Sequence, residues 1–184
     1  MNNSALVPCL LAGLALACVP QSYALELFVS PYGTSADSAY QVSTTSPSWS
    51  LSKSDTAIVR RRCAEGEDYQ EWYRIDLVSP LKFGDILVSN DGVFVVSVSW
   101  QPEGPYVVVI YERGGHIIRS MKFADFAQPG LRPVRFMDMW WGMGHYIDNE
   151  CGQLVLKIYR PEVQHRLYEV RVDLLTGEIV SRSD

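Results

Sequence analysis

Nowhere in this sequence do the usual marks of catalysis occur. There is no Gly-x-Ser-x-Gly, so the strained elbow that exposes a serine nucleophile is missing. There is no His-Glu-x-x-His, and the three histidines, His116, His145 and His165, are far apart in the chain. No Cys-x-x-Cys occurs among the four cysteines, which leaves no redox pair and no thiolate metal site of ordinary spacing. Basic residues are few: 16 Lys and Arg against 21 Asp and Glu give a net charge of −5, which argues against nucleic acid as a partner. The one basic run, Arg60-Arg61-Arg62, is followed by Glu65, Glu67 and Asp68, and reads as a solvated strand face in preference to an anion site. Helical periodicity is also scarce, with a single candidate turn in "KFADFA".

Charge is absent altogether from residues 1–24. Within them "ALVPCLLAGLALACV" has the length of a secretory core and is too short to span a bilayer comfortably. Ser22-Tyr23-Ala24 offers small residues to a signal peptidase, so cleavage is expected after Ala24 and the mature chain, 25–184, is expected to be exported to the periplasm or secreted without a transmembrane helix. An alternative is lipidation at Cys18 within "LALAC". Cleavage after Ala24 removes Cys9 and Cys18 and leaves Cys63 and Cys151, which an oxidising compartment would join as a disulfide.

What is present is β-strand grammar, which predicts one all-β domain over 25–184. Residues 25–30 read as a short strand, and the Ser/Thr-rich stretch from Gly33 to Ser54 as a long, partly irregular segment. "TAIVRRR" and "YQEWYRIDLV" follow as strands, the second alternating Tyr69, Glu71, Tyr73, Ile75 and Leu77 against Gln70, Trp72, Arg74 and Asp76. Asn90-Asp91-Gly92 makes a turn, after which Phe94, Val96, Val98 and Trp100 share one face. "YVVVIY" is apolar on both faces, as a strand covered on both sides would be, and Gly114-Gly115 turns the chain into "HIIRSMKF". The pattern returns near the C-terminus: Cys151-Gly152 stands for Asp91-Gly92, Leu154, Leu156 and Ile158 point inward, and Gly177 stands for Gly115. The two copies, about 86–123 and 146–182, are each expected to form an antiparallel meander that must pack on its neighbour.

Ser89-Asn90-Asp91-Gly92, Phe94-Val95-Val96, "VVVIYERGGHIIRS" and "DLLTGEIV" resemble the blade-type repeats of uncharacterised exported bacterial proteins and, more distantly, strand pairs of β-propellers. The resemblance covers about the last hundred residues and implies a propeller-like arrangement without bringing any catalytic residue. Four blades of about 40–50 residues exceed the expected mature chain, so an open stack of two or three sheets, or a β-sandwich, is the expected architecture.

The candidate functional segment is "FMDMWWGMGHYIDNEC", 136–151. Trp140, Trp141 and Tyr146 could present an aromatic platform, with Asp138 and His145 as polar neighbours and flexible Gly142 and Gly144 between. Against this stands strand alternation, which would send one tryptophan into the core and the other to a sheet edge. Met137, Met139 and Met143 suit core gaps, while Trp49, Trp72 and Trp100 carry the same two readings. Asp91, Asp148 and Glu150 read as turn residues, since the ordered spacing of a calcium loop is missing. The expectation is a non-catalytic binding domain with no cofactor and no metal, whose partner is another envelope protein. The alternative is a module that binds cell-wall glycan, or a small glycan-acting hydrolase built around Trp140 and Trp141.

Overall fold

The computed structural model describes residues 32–45, 55–64, 66, 68–78, 84–100, 105–127, 142–160 and 166–183. The expected signal segment with its Ala24 cleavage site and Cys18, the strand at 25–30, and Trp49, Asp138, Trp140, Trp141 and His165 all lie outside the described residues.

The fold is all-β. Among the described residues, twelve strands form three four-stranded antiparallel sheets, each a meander in which neighbours in sequence are neighbours in space. Sheet I holds β1 (Tyr32–Thr34), β2 (Tyr40–Thr44), β3 (Asp55–Arg62) and β4 (Tyr69–Leu77). Sheet II holds β5 (Gly84–Val88), β6 (Phe94–Ser99), β7 (Val108–Glu112) and β8 (Ile117–Met121). A single helical turn, α1 (Phe123–Phe126), follows it where "KFADFA" predicted one. Sheet III holds β9 (Gly142–Asp148), β10 (Gln153–Arg160), β11 (Arg166–Asp173) and β12 (Ile179–Ser183). The first strands of the sheets stand side by side, β1 against β5 and β5 against β9, which makes the stack open and propeller-like.

Alternation along the strands of sheet II explains the stacking, because both of its faces are apolar. Ile86, Val88, Val95, Val109 and Tyr111 point to sheet I, where they join Tyr40, Val42, Ala57, Val59, Ile75 and Leu77. From the opposite face Val96, Val98, Val108, Ile110 and Met121 meet Leu154, Leu156, Ile158, Tyr168, Val170 and Val172 of sheet III. Each of the valine, leucine, isoleucine and methionine side chains among these, when fully buried, is worth about 2 kcal/mol relative to exposure. Sheet II is therefore the middle layer, and its two contact faces are the two seams of the molecule.

Turns between the first two strands of each sheet line up at one end. In sheet I, Ser35 Oγ accepts the Tyr40 N–H at 2.9 Å and donates to Asp37 Oδ1 at 2.7 Å. In sheet II, Ser89 Oγ accepts the Phe94 N–H at 3.0 Å and donates to Asp91 Oδ1 at 2.5 Å. Ser38 and Gly92 take the corresponding left-handed position, with φ of 59° and 68°. The turns are also bonded to one another. The Asp37 N–H donates to Asn90 Oδ1 at 3.2 Å, and the Asn90 N–H donates to Asn149 Oδ1 at 2.7 Å.

Three expectations need correction. The stretch read as irregular from Gly33 onward contains β1 and β2, because the Ser-x-Asp turn at Ser35–Asp37 ties them together through side-chain bonds that hydrophobic periodicity does not register. Trp72 does not face away from Tyr73: Val59 pairs with Tyr73 and Arg60 with Glu71, so Trp72 is the extra residue of a β-bulge and both rings pack on the core between sheets I and II. Cys63 and Cys151 are free thiols, not a disulfide. Cys63 follows β3 in sheet I and Cys151 sits in the β9–β10 turn of sheet III, with the β5–β6 turn of sheet II bonded between the two sheets.

Candidate functional site

The inner strands bring together three polar side chains in the seam between sheets II and III. Asp85 lies on β5 opposite Val98, and so points to the sheet III side along with Val98 and Leu87. Trp100 continues the same face just past the end of β6. His145 lies on β9 opposite Leu156, whose side chain belongs to the seam core. The Trp100 indole donates its N–H to Asp85 Oδ2 at 3.0 Å. His145 Nε2 meets the same oxygen at 2.9 Å. Among the described residues no hydrogen bond reaches Asp85 Oδ1.

The electrostatics of the pair are lopsided. The His145 side chain is only 11% exposed, whereas that of Asp85 is 44% exposed. Partial burial by itself would push the Asp85 carboxyl up, but the hydrogen bond and charge of His145, with help from the Trp100 N–H, hold it below the usual carboxylate range. Asp85 thus stays ionised at neutral pH with one oxygen occupied by two ring nitrogens, and is equipped to accept a donor. A general acid needs the opposite bias.

The structure separates the candidate residues of the 136–151 segment. His145 faces the seam; Tyr146, its neighbour in β9, faces the opposite side of sheet III, where it is exposed and the Lys157 ammonium lies 5.4 Å from its ring centroid. Trp140, Trp141 and Asp138 fall outside the described residues. Asp85 was missed by sequence reasoning; the available signal was an acid at a core-facing position of "GDILV", two residues before Leu87.

The turn acids behave as structure. Asp91 Oδ1 accepts from Ser89 Oγ and from the Val93 N–H. Asp148 accepts from the Arg171 guanidinium at 3.0 Å and from the Cys151 N–H at 3.3 Å, which lower its pKa. A cavity of about 290 Å³ lies between the β5–β6 and β9–β10 turns, with Phe94, Ile147 and Leu174 among its walls and Asp91 and Glu150 beside them. Among the described residues no group of three or more His, Cys, Asp or Glu side chains is placed to hold a metal ion.

No protein-family model and no curated protein matches the sequence. A similar solved structure is the periplasmic gluconolactonase of Pseudomonas aeruginosa, at 14% sequence identity and a TM-score of 0.40 over 83% of this chain and 38% of that one. The chain therefore spans well under half the length of that protein.

Proposed function

We propose that the protein is an exported, non-catalytic binding domain of the cell envelope, and that the Asp85–Trp100–His145 cluster is where it engages another envelope protein. The observation that carries this reading is the doubly held Asp85 Oδ2 beside an Oδ1 that no hydrogen bond reaches among the described residues. A fixed carboxylate of depressed pKa is a ready acceptor for a partner's Lys, Arg or amide N–H. The half-buried indole of Trp100 adds an aromatic anchor of the kind that dominates binding energy at interfaces. Trp140, Trp141 and Asp138 directly precede β9 and belong to the proposal by sequence. Export rests on the uncharged apolar segment at 1–24, and among the described residues no helix is long and apolar enough to cross a membrane.

An indole next to a carboxylate also suits a sugar ring and its hydroxyls, which keeps cell-wall glycan as a second reading. The test uses wild type, Asp85→Ala and Trp100→Ala as baits against a solubilised envelope fraction. In parallel, tryptophan fluorescence is titrated with soluble wall fragments. A protein retained by wild type and lost by both variants is the expected result. Equal recovery on all three baits, or none on any, overturns the assignment. Saturable quenching by glycan that disappears in Asp85→Ala moves the reading to the second ligand.

A further inference from the structure

At the far end of sheet II, in the other seam, two arginines from different sheets meet one indole. Phe94 pairs with Glu112, which puts the β7–β8 turn at the end of sheet II away from Asp85. Arg113 leaves that turn and places its guanidinium carbon 3.9 Å from the ring centroid of Trp72. Tyr40 also stacks on Trp72, with centroids 5.1 Å apart and planes 29° from parallel. Arg61, the cross-strand neighbour of Tyr40, brings its guanidinium carbon to 6.0 Å from the same centroid. The β4 bulge is what makes this meeting place, since it turns Trp72 onto the side of Tyr40 and Tyr73.

Both guanidiniums are exposed, and among the described residues neither makes a hydrogen bond or an ion pair. Five other arginines, Arg60, Arg62, Arg74, Arg171 and Arg182, each donate to an oxygen of the protein. Exposed Arg119 shares the lack of such a bond but has no ring beside it among the described residues. A guanidinium stacked on a ring keeps its five N–H groups directed outward in one plane. Asp91, the acid that acts on neighbouring Tyr73, has its Oδ1 occupied by Ser89 and Val93. An anion beside the ring would offset the positive charge of these two guanidiniums and fill their free N–H edges.

We infer that Arg61, Trp72 and Arg113 form a binding site for an oxyanion, the carboxylate or phosphate group of a small ligand. The site is separate from the Asp85 cluster, so its fate does not depend on the proposed function. Calorimetric titrations with inorganic phosphate and with acetate, at ionic strength held constant with chloride, test it. Saturable binding of one of them is expected, and which one binds identifies the anion class. Arg113→Gln and Arg61→Gln should each weaken it about tenfold, the size expected for losing one charge-assisted contact. Arg113→Lys should fall between, because it keeps the charge and loses the planar fork, while Arg119→Gln, elsewhere on the surface, should bind as wild type. Thermal melts of each variant report whether it is folded. Heats that rise linearly for both anions, or folded Arg113→Gln and Arg61→Gln proteins that bind like wild type, overturn the inference.

Discussion

The two seams of sheet II are built from the same meander and solve the contact between inner strands in opposite ways. In the seam with sheet I, the residue of the inner strand that faces sheet II is Gly33. It pairs with the core residue Val42, and a Cβ built on it would lie 2.1 Å from the Ile86 carbonyl oxygen. β1 and β5 therefore touch backbone to backbone. In the seam with sheet III, β9 turns His145 and Ile147 inward, and the imidazole spans the gap to Asp85. A missing side chain closes one seam and a long polar one holds the other open. The difference shows where such a fold has room for a polar site: only where the inner strands are spaced by side chains can a carboxylate be both held and partly exposed.

The sharpest way to break this comparison is to add a methyl group inside the tight seam and, as a control, one on the outer face of sheet III. Gly33→Ala forces a hard clash with backbone, and the strands must separate; the expected loss is about 3 kcal/mol, at the upper end of overpacking effects. Gly144→Ala, on the face of β9 that Tyr146 shares and so turned away from the seam, meets nothing within 4 Å and should change stability by no more than about 0.5 kcal/mol. Urea unfolding of the two variants measures both. Similar losses would mean that β1 and β5 are not in backbone contact.

A smaller effect is expected from His145→Ala, which shortens the spacer in the second seam. Asp85 keeps the Trp100 N–H but loses its other partner on Oδ2. Because the carboxylate is substantially exposed, water replaces part of the lost bond, and the cost should be about 1 kcal/mol. His145→Gln, able to offer an N–H, should recover some of it. Unfolding midpoints check the order wild type, Gln, Ala; a His145→Ala protein as stable as wild type would remove the imidazole's role as spacer and holder.

Much of this arrangement can be read from residue order, and the exceptions share a cause. Alternation along Phe94–Trp100 and the two-sided apolar run through Val107–Tyr111 announce a middle sheet, because each side chain's face follows from its parity alone. His145 and Tyr146 are neighbours in the candidate segment, and the same parity rule explains why the fold divides them. What parity could not reveal are features that break it or cross between sheets. The bulge at Trp72 shifts a register by one residue, and the Ser35–Asp37 turn is stabilised by side-chain bonds inside a weakly apolar stretch. The Asp85–His145 contact joins residues sixty positions apart on different sheets, and no periodicity within either strand encodes such a meeting.

The smallest expected effect is also the one that separates the seams by chemistry instead of by packing. Asp85 has a folded-state pKa below its ordinary value, so its bonds stabilise the fold fully above the unfolded carboxylate pKa of about 4, and that contribution disappears as pH falls through the folded value. Asp148 and Glu71 also have lowered pKa values, but neither contacts Asp85, so their effects cancel when Asp85→Asn is compared with wild type at each pH. Below about pH 4 the stability difference should shrink steadily as wild-type Asp85 is protonated. Gly33→Ala, whose clash involves no ionisable group, should keep a constant deficit over the same range. A difference for Asp85→Asn that stays constant into acid, or grows there, would mean that the ionised carboxylate is not what ties β5 to β9.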